Sequence, residues 1–157
     1  DFKTFLKLSP PLRTEEDRLS LVEAVNDGTI DVIVSDHTPE DEESKRLPFA
    51  QAATGAIGVE TLLPLALEMH HNESLPLKKI IEALTINPSK ILQINKGTLK
   101  KGAAADICVF DLEAPWVVKA EKLKSKSKNT AIENRKLQGK ILMTFLNGEL
   151  VFNQKWV

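Results

Sequence analysis

A short apolar run followed directly by a carboxylate constrains most strongly how this chain can fold. Residues 30–35 read IDVIVS, which is rich in isoleucine and valine and is apolar nearly throughout. A continuous apolar run of this length predicts a parallel β-strand that is covered on both faces. Helical patterns precede it and follow the polar loop 36–46, so the order of elements predicts an α/β fold with a parallel sheet.

The helices around this strand have recognisable ends. Thr14 and Asp17 form a near capping box at the start of the first helix, and residues 26–28 (NDG) predict its end. Leu19, Val22 and Val25 predict its apolar stripe. Three further helices are predicted over residues 59–71, 77–84 and 88–93.

The pattern changes to short strands after Gly97. Strands are predicted over residues 106–111, 116–119 and 141–152. The last of these folds back at Asn147-Gly148, the strongest two-residue hairpin signal. The expected division is therefore residues 1–95, with the last strands and helices of the α/β part, and residues 96–157, a β-rich segment of a small domain.

Charge and hydropathy exclude two classes of partner. The 21 Lys and Arg residues balance 22 Asp and Glu residues, giving a formal net charge of -1, which is not typical of nucleic-acid binding. No apolar stretch approaches the roughly 20 residues that span a bilayer. The single cysteine, Cys108, favours a reducing cytoplasm over a disulfide-bonded setting.

Asp36 is the strongest candidate for a catalytic or metal-binding role. In parallel α/β folds, ligands bind at the carboxyl ends of strands and in the loops that leave them, where Asp36 and His37 are predicted to lie. A carboxylate there can bind a hard or borderline metal ion, or accept a proton from an attacking water. An Asp after a strand is also a common turn cap, so the pattern alone leaves both interpretations open.

Ordered motifs along almost the whole chain resemble the closing part of dihydroorotase-type cyclic amidohydrolases. These motifs are KLSPPLR (7–13), DGTID (27–31), SDHTP (35–39), GAIGVET (55–61), NPSKIL (87–92), KGTLKKGAAADI (96–107) and SKSKNT (125–130). The resemblance implies the C-terminal part of a metal-dependent (β/α)8 TIM barrel with a small β-rich domain. It also implies zinc, as one or two ions, and a cytoplasmic homodimer that interconverts N-carbamoyl-L-aspartate and dihydroorotate in pyrimidine biosynthesis.

The resemblance also assigns roles to particular residues. Asp36 matches the strand-end aspartate that touches the metal and carries the proton. Ser9 falls where the family usually has a substrate-binding Asn, and Thr54 and Gly55 fall in the loop whose backbone contacts the small-molecule substrate. Glu40 replaces a substrate-facing His, and its charge is expected to repel an anionic substrate unless it points away.

The family's other metal ligands have no counterpart in this sequence. Its histidines are His37, His70 and His71, and the last two end a predicted helix. We therefore expect activity to need the protein's own N-terminal part, and the isolated chain to aggregate or to bind that part. Two alternatives stay open: a non-catalytic subunit that supports aspartate transcarbamoylase, favoured by Ser9 and Glu40, and a related allantoinase or hydantoinase.

Overall fold

A computed structural model describes residues 2–72 and 74–154 of the chain. The helices in these ranges are α1 (Glu15–Asp27), α2 (Glu42–Arg46), α3 (Leu62–His71), α4 (Leu77–Leu84) and α5 (Ile86–Ile91). The strands are β1 (Ile107–Val117), β2 (Lys136–Leu146) and β3 (Glu149–Asn153). The helices thus precede the strands along the chain, and the change to strands after Gly97 agrees with the prediction. No helix in the described ranges is long and apolar enough to cross a membrane.

The start of α1 confirms the predicted capping. The Thr14 hydroxyl accepts a hydrogen bond from the Asp17 N–H at 3.2 Å, and the Asp17 carboxylate accepts one from the Thr14 N–H at 3.1 Å. The helix ends before Gly28, as predicted. The predicted stripe is wrong for Leu19, which is 51% exposed, whereas Val25 is buried. Local hydrogen bonding therefore sets the limits of α1, and only its C-terminal part packs against the core.

Residues 30–35 are extended but join no sheet among the described residues, so the prediction of a covered strand is wrong for this chain taken by itself. The Ile33 N–H donates to the Ala83 carbonyl of α4 at 3.2 Å rather than to a strand. Just beyond the segment, His37 and Ala56 form an isolated parallel bridge. Val34 is 71% exposed. A parallel strand is stabilised by neighbouring strands, and these residues have none beside them within the described ranges.

The helices after the site loop confirm the predicted order but shift two boundaries. α3 begins at Leu62 rather than at residue 59, because residues 59–61 form a turn. α4 agrees with the prediction, and α5 runs two residues earlier than predicted. Helices α1, α3 and α4 and the 74–76 turn meet in one apolar cluster, made of Val25, Ala66, Leu75, Ile80 and Ala83. Complete burial of a side chain such as Ile80 contributes roughly 1.5–3 kcal/mol.

The C-terminal strands form one antiparallel sheet in the order β1-β2-β3. The two predicted strands at 106–111 and 116–119 are a single strand, β1, whose pairing with β2 shifts register twice. The hairpin prediction at Asn147-Gly148 is confirmed, because β2 and β3 pair on either side of it and both residues have positive φ, +50° and +85°. β2 begins at Lys136, five residues earlier than predicted, since its first part pairs with the end of β1.

A second apolar cluster joins the sheet to the site loop. It contains Ile57, Val118, Leu123 and Leu137, and Leu65 of α3 packs against it. Ile57 follows directly on the predicted substrate loop, so burial of its side chain anchors that loop on the C-terminal segment.

We predict that Gly97→Ala destabilises the protein more than Gly102→Ala. Both glycines have positive φ, +72° and +88°, so the backbone cost of the two changes is similar. A Cβ at Gly97 would lie 2.8 Å from the Thr85 carbonyl carbon and 2.9 Å from Ile86 Cα, whereas a Cβ at Gly102 would meet nothing within 4 Å. The expected difference in the free energy of unfolding is about 1–3 kcal/mol, measured by chemical denaturation. Equal losses would show that residue 97 does not pack tightly on the corner between α4 and α5.

Candidate active site

An apolar cleft of about 610 Å³, open on one side, brings together three of the predicted site residues. Ser9, Asp36 and Gly55 line it, and the remaining lining comes from the 30–35 segment, from α3, from the segments around Ser9 and Gly55, and from residues 131–135. Thr54 and Glu40 are not part of the lining. The extended segment therefore delivers the Asp36 carboxylate to the end of a cleft, as expected of a strand end, although the segment belongs to no sheet.

Asp36 has a backbone conformation that few side chains adopt. Its φ is +43°, in the left-handed region that Asp tolerates better than most residues, and such outliers concentrate at functional sites. Thr38 Oγ1 donates to the Asp36 carbonyl at 3.1 Å, which helps to hold the turn. Among the described residues, no hydrogen bond reaches the Asp36 carboxylate, and the residue is exposed. The carboxylate is therefore available to a ligand, and capping of a turn does not occupy it.

His37 does not act with Asp36 in the cleft, although the sequence places them together. Its Nδ1 accepts hydrogen bonds from the Gly58 N–H at 3.1 Å and the Val59 N–H at 3.4 Å. The imidazole thus supports the turn that leads into α3 and lies outside the cleft lining. We assign His37 a structural role, because the ring nitrogen that faces the turn is already used as an acceptor.

The Gly55 main chain is held tightly. Its N–H donates to the Lys7 carbonyl at 3.0 Å, just before Ser9. Its φ is +136°, and a Cβ at this position would lie 2.6 Å from Thr38 Cγ2, so only glycine fits. Two of the predicted substrate segments, around Ser9 and Gly55, are therefore linked directly through their backbones.

Asn129 is a site-organising residue that the sequence reasoning did not single out. It is 2% exposed. Its Oδ1 accepts from the Glu40 N–H at 3.3 Å and from Ser127 Oγ at 2.6 Å, and its Nδ2 donates to the carbonyls of Thr38 at 3.2 Å and Gly55 at 3.3 Å. Its presence in the motif SKSKNT was the signal that could have identified it. One amide thus ties the loop after Asp36 to the substrate loop.

Lys45 is a second organising residue, and it had no signal in the sequence. It is completely buried, and its Nζ donates to the carbonyls of Ala53 at 2.9 Å, Gly55 at 3.0 Å and Lys7 at 3.4 Å. Burial lowers the pKa of Lys45, and the Glu40 carboxylate opposes this effect. Lys45 therefore places a buried cation against the main chain of the loop that contains Thr54 and Gly55.

The described residues do not by themselves fit a zinc centre. Within residues 2–72 and 74–154, no group of three His, Cys, Asp or Glu side chains is placed to hold a metal ion. A catalytic zinc ion usually has three protein ligands and one open position. Asp36 alone offers one carboxylate, which suits a single metal bond or a proton transfer.

A carboxylate that follows an extended apolar segment and lines an open cleft, in a helical part that packs on a small sheet, is typical of the barrel-type hydrolases. The chain belongs to the amidohydrolase family, whose sequence model matches residues 8–151. The predicted fold class, part of an amidohydrolase barrel with a small β-rich segment, is thereby confirmed.

Curated relatives and solved structures agree with this assignment. The chain is 44% identical to a dihydroorotase of Anaplasma phagocytophilum over 149 residues, which is 95% of this chain and 33% of that protein. It is also 44% identical to a dihydroorotase of Acetivibrio thermocellus over 156 residues, 99% of this chain and 37% of that protein. The structure of an L-hydantoinase from Arthrobacter aurescens superimposes with a TM-score of 0.87 at 31% identity, over 99% of this chain and 36% of that one. The chain therefore spans about a third of the length of the proteins it matches.

We predict that Asn129→Ala lowers the free energy of unfolding by about 2–4 kcal/mol, because it leaves the Glu40 N–H and the Thr38 carbonyl without partners and removes one of the two bonds to the Gly55 carbonyl. Asn26→Ala is the matched control, since Asn26 is exposed on α1 and should change stability by less than about 0.5 kcal/mol. Chemical denaturation of the two variants measures the difference. A loss for Asn129→Ala no larger than for Asn26→Ala would contradict the network described above.

Proposed function

We propose that this chain is the C-terminal part of a dihydroorotase. The complete enzyme would interconvert N-carbamoyl-L-aspartate and dihydroorotate in de novo pyrimidine biosynthesis. The observation that carries the proposal is the meeting of Ser9, Asp36 and Gly55 in one cleft, in a chain 44% identical to dihydroorotases over nearly its whole length.

Each predicted site residue has a proposed part in this reaction. Hydrolysis of the ring amide adds water to a carbonyl carbon and breaks a C–N bond, so a proton must leave the water and reach the ring nitrogen. The free Asp36 carboxylate carries that proton. The Gly55 main chain and the Ser9 hydroxyl hold the substrate, and Thr54 precedes Gly55 in the same loop. Glu40, which is outside the cleft lining, would face the substrate only in the complete protein.

The complete enzyme would also require a metal ion. Zinc, as one or two ions, would polarise the amide and activate the water, as metal ions do in hydrolases. Asp36 would supply one ligand, and the others would come from the N-terminal part of the longer protein, because the described residues hold no such cluster. The isolated chain would therefore be inactive.

The likeness to dihydroorotases also suggests how the complete protein is divided into domains and assembled. We place the boundary between the barrel part and the small β-rich domain at residues 95 and 96. The protein's own N-terminal part would cover the open cleft, and the complete protein would form a homodimer in the cytoplasm. These assignments follow from the likeness to dihydroorotases and from the third of their length that this chain spans.

Two other functions are each favoured by one observation. The L-hydantoinase likeness over 99% of the chain favours hydrolysis of a related cyclic amide by a hydantoinase or allantoinase. Ser9 and Glu40, which depart from the dihydroorotase pattern, favour a non-catalytic subunit that supports aspartate transcarbamoylase.

We predict that Asp36→Asn in the full-length protein lowers kcat for dihydroorotate hydrolysis by roughly 10²–10⁴-fold, because the amide cannot carry the proton. The matched control is Asp31→Asn, which changes an exposed carboxylate outside the cleft lining and should leave kcat unchanged. Turnover is measured with zinc-loaded protein of each variant.

Three outcomes of this experiment would redirect the assignment. Equal activity of Asp36→Asn and the parent protein would remove Asp36 from the reaction. Turnover of hydantoin or allantoin, without turnover of dihydroorotate, would favour the related hydrolases. A folded parent protein that turns over none of these substrates but raises the Tm of aspartate transcarbamoylase would favour the non-catalytic subunit.

A further inference from the structure

Lys45 is a buried cation without a hydrogen-bonded carboxylate among the described residues. Its ammonium instead donates to three main-chain carbonyls, those of Ala53, Gly55 and Lys7, at 2.9, 3.0 and 3.4 Å. An ammonium has three N–H donors and accepts nothing, so these three carbonyls match its full donor capacity. Moving a charge out of water is costly unless it is fully hydrogen-bonded. The carbonyls must therefore be held in one particular arrangement for Lys45 to stay buried.

The three carbonyls come from the two segments that carry the lining residues Ser9 and Gly55. Lys7 stands two residues before Ser9, while Ala53 and Gly55 flank Thr54. The Gly55 N–H also donates to the Lys7 carbonyl at 3.0 Å, so that oxygen accepts from both the amide and the ammonium. Lys45 thus fixes the two segments relative to each other.

The side chain of Lys7 fixes the other end of the same loop. Its Nζ donates to the carbonyls of Phe49 at 2.9 Å, Ala50 at 3.2 Å and Ala52 at 2.8 Å. The loop that leaves α2 is therefore held by two lysines along residues 49–55. The two differ in exposure, since Lys45 is completely buried whereas Lys7 is half-buried.

We propose that Lys45 is a positioning residue for substrate binding, acting through the main chain of Gly55 and the segment that carries Ser9. This inference rests on the proposed function, because it takes that main chain to be the surface that holds the substrate. Without the ammonium, the Gly55 carbonyl keeps only its bond from Asn129, and the Lys7 carbonyl keeps only its bond from the Gly55 N–H. The substrate then meets a surface that is no longer preorganised.

The test compares Lys45→Met and Lys45→Arg with Lys78→Met in the full-length, zinc-loaded protein. Met preserves the length of the side chain without its donors, and Arg preserves the charge but has a planar fork that does not match three converging carbonyls. Lys78 is an exposed lysine of α4, outside the cleft. We expect both Lys45 variants to lower kcat/KM for dihydroorotate by roughly 10- to 100-fold, mainly through KM, and Lys78→Met to match the parent.

Hydrogen exchange of the substrate-free protein gives a second readout that does not depend on turnover. The amide of Gly55 donates to the Lys7 carbonyl, and its exchange should be at least tenfold faster in Lys45→Met. Exchange in α4 should not change. A merely stabilising residue would lower Tm without raising KM or selectively releasing this amide.

The outcomes separate this inference from the proposed function. A parent protein that fails to turn over dihydroorotate contradicts the proposed function, and exchange at Gly55 then decides whether Lys45 holds the loop. A parent-like KM in a folded Lys45 variant overturns the inference, and so does parent-like exchange at Gly55. Failure of both Lys45 variants to fold would also overturn it, because Lys45 would then be required for the fold rather than for binding.

Discussion

The backbone of Gly55 is the point on which the rest of the site depends. Its N–H is bound by the Lys7 carbonyl, and its carbonyl is bound by both Lys45 and Asn129. These three partners belong to the N-terminal segment, to α2 and to the C-terminal segment. Because each bond is buried or half-buried, losing one leaves a polar group without water to replace its partner. The cleft, the loop after Asp36 and the C-terminal segment are therefore connected through one residue.

The open side of the cleft agrees with a chain that spans a third of its relatives' length. The lining from residues 30–35 and α3 is mainly apolar, and Val34, which the sequence pattern would bury, is 71% exposed. Exposed apolar surface of this kind is typical of a face that binds another segment or chain. The same face carries Asp36, so a segment that covers the cleft would also complete the surroundings of the carboxylate. The same segment would then bury the exposed apolar lining of the cleft and complete the site around the Asp36 carboxylate.

Local sequence signals predicted local structure well. The Thr14 cap, the end of α1 before Gly28 and the turn at Asn147-Gly148 each depend on residues that are close in sequence, and all are confirmed. The prediction that residues 30–35 form a sheet strand was wrong, because such a strand needs neighbouring strands to pair with. The roles of Lys45 and Asn129 were missed for a similar reason: Asn129 bonds carbonyls 91 and 74 residues away. Asp36 was a candidate from its place after an apolar run, whereas Ser9 and Gly55 became candidates only through the ordered motifs.

In the proposed dihydroorotase, Asp36 and the Gly55 main chain would face one dihydroorotate molecule. The crystal structure of the full-length protein with dihydroorotate bound tests this claim most directly. The account predicts that the molecule lies in the cleft between Ser9, Asp36 and Gly55, with the Asp36 carboxylate and the Gly55 backbone both within about 4 Å of it. A molecule bound elsewhere, with this cleft filled by side chains of the protein's other segments, would contradict it.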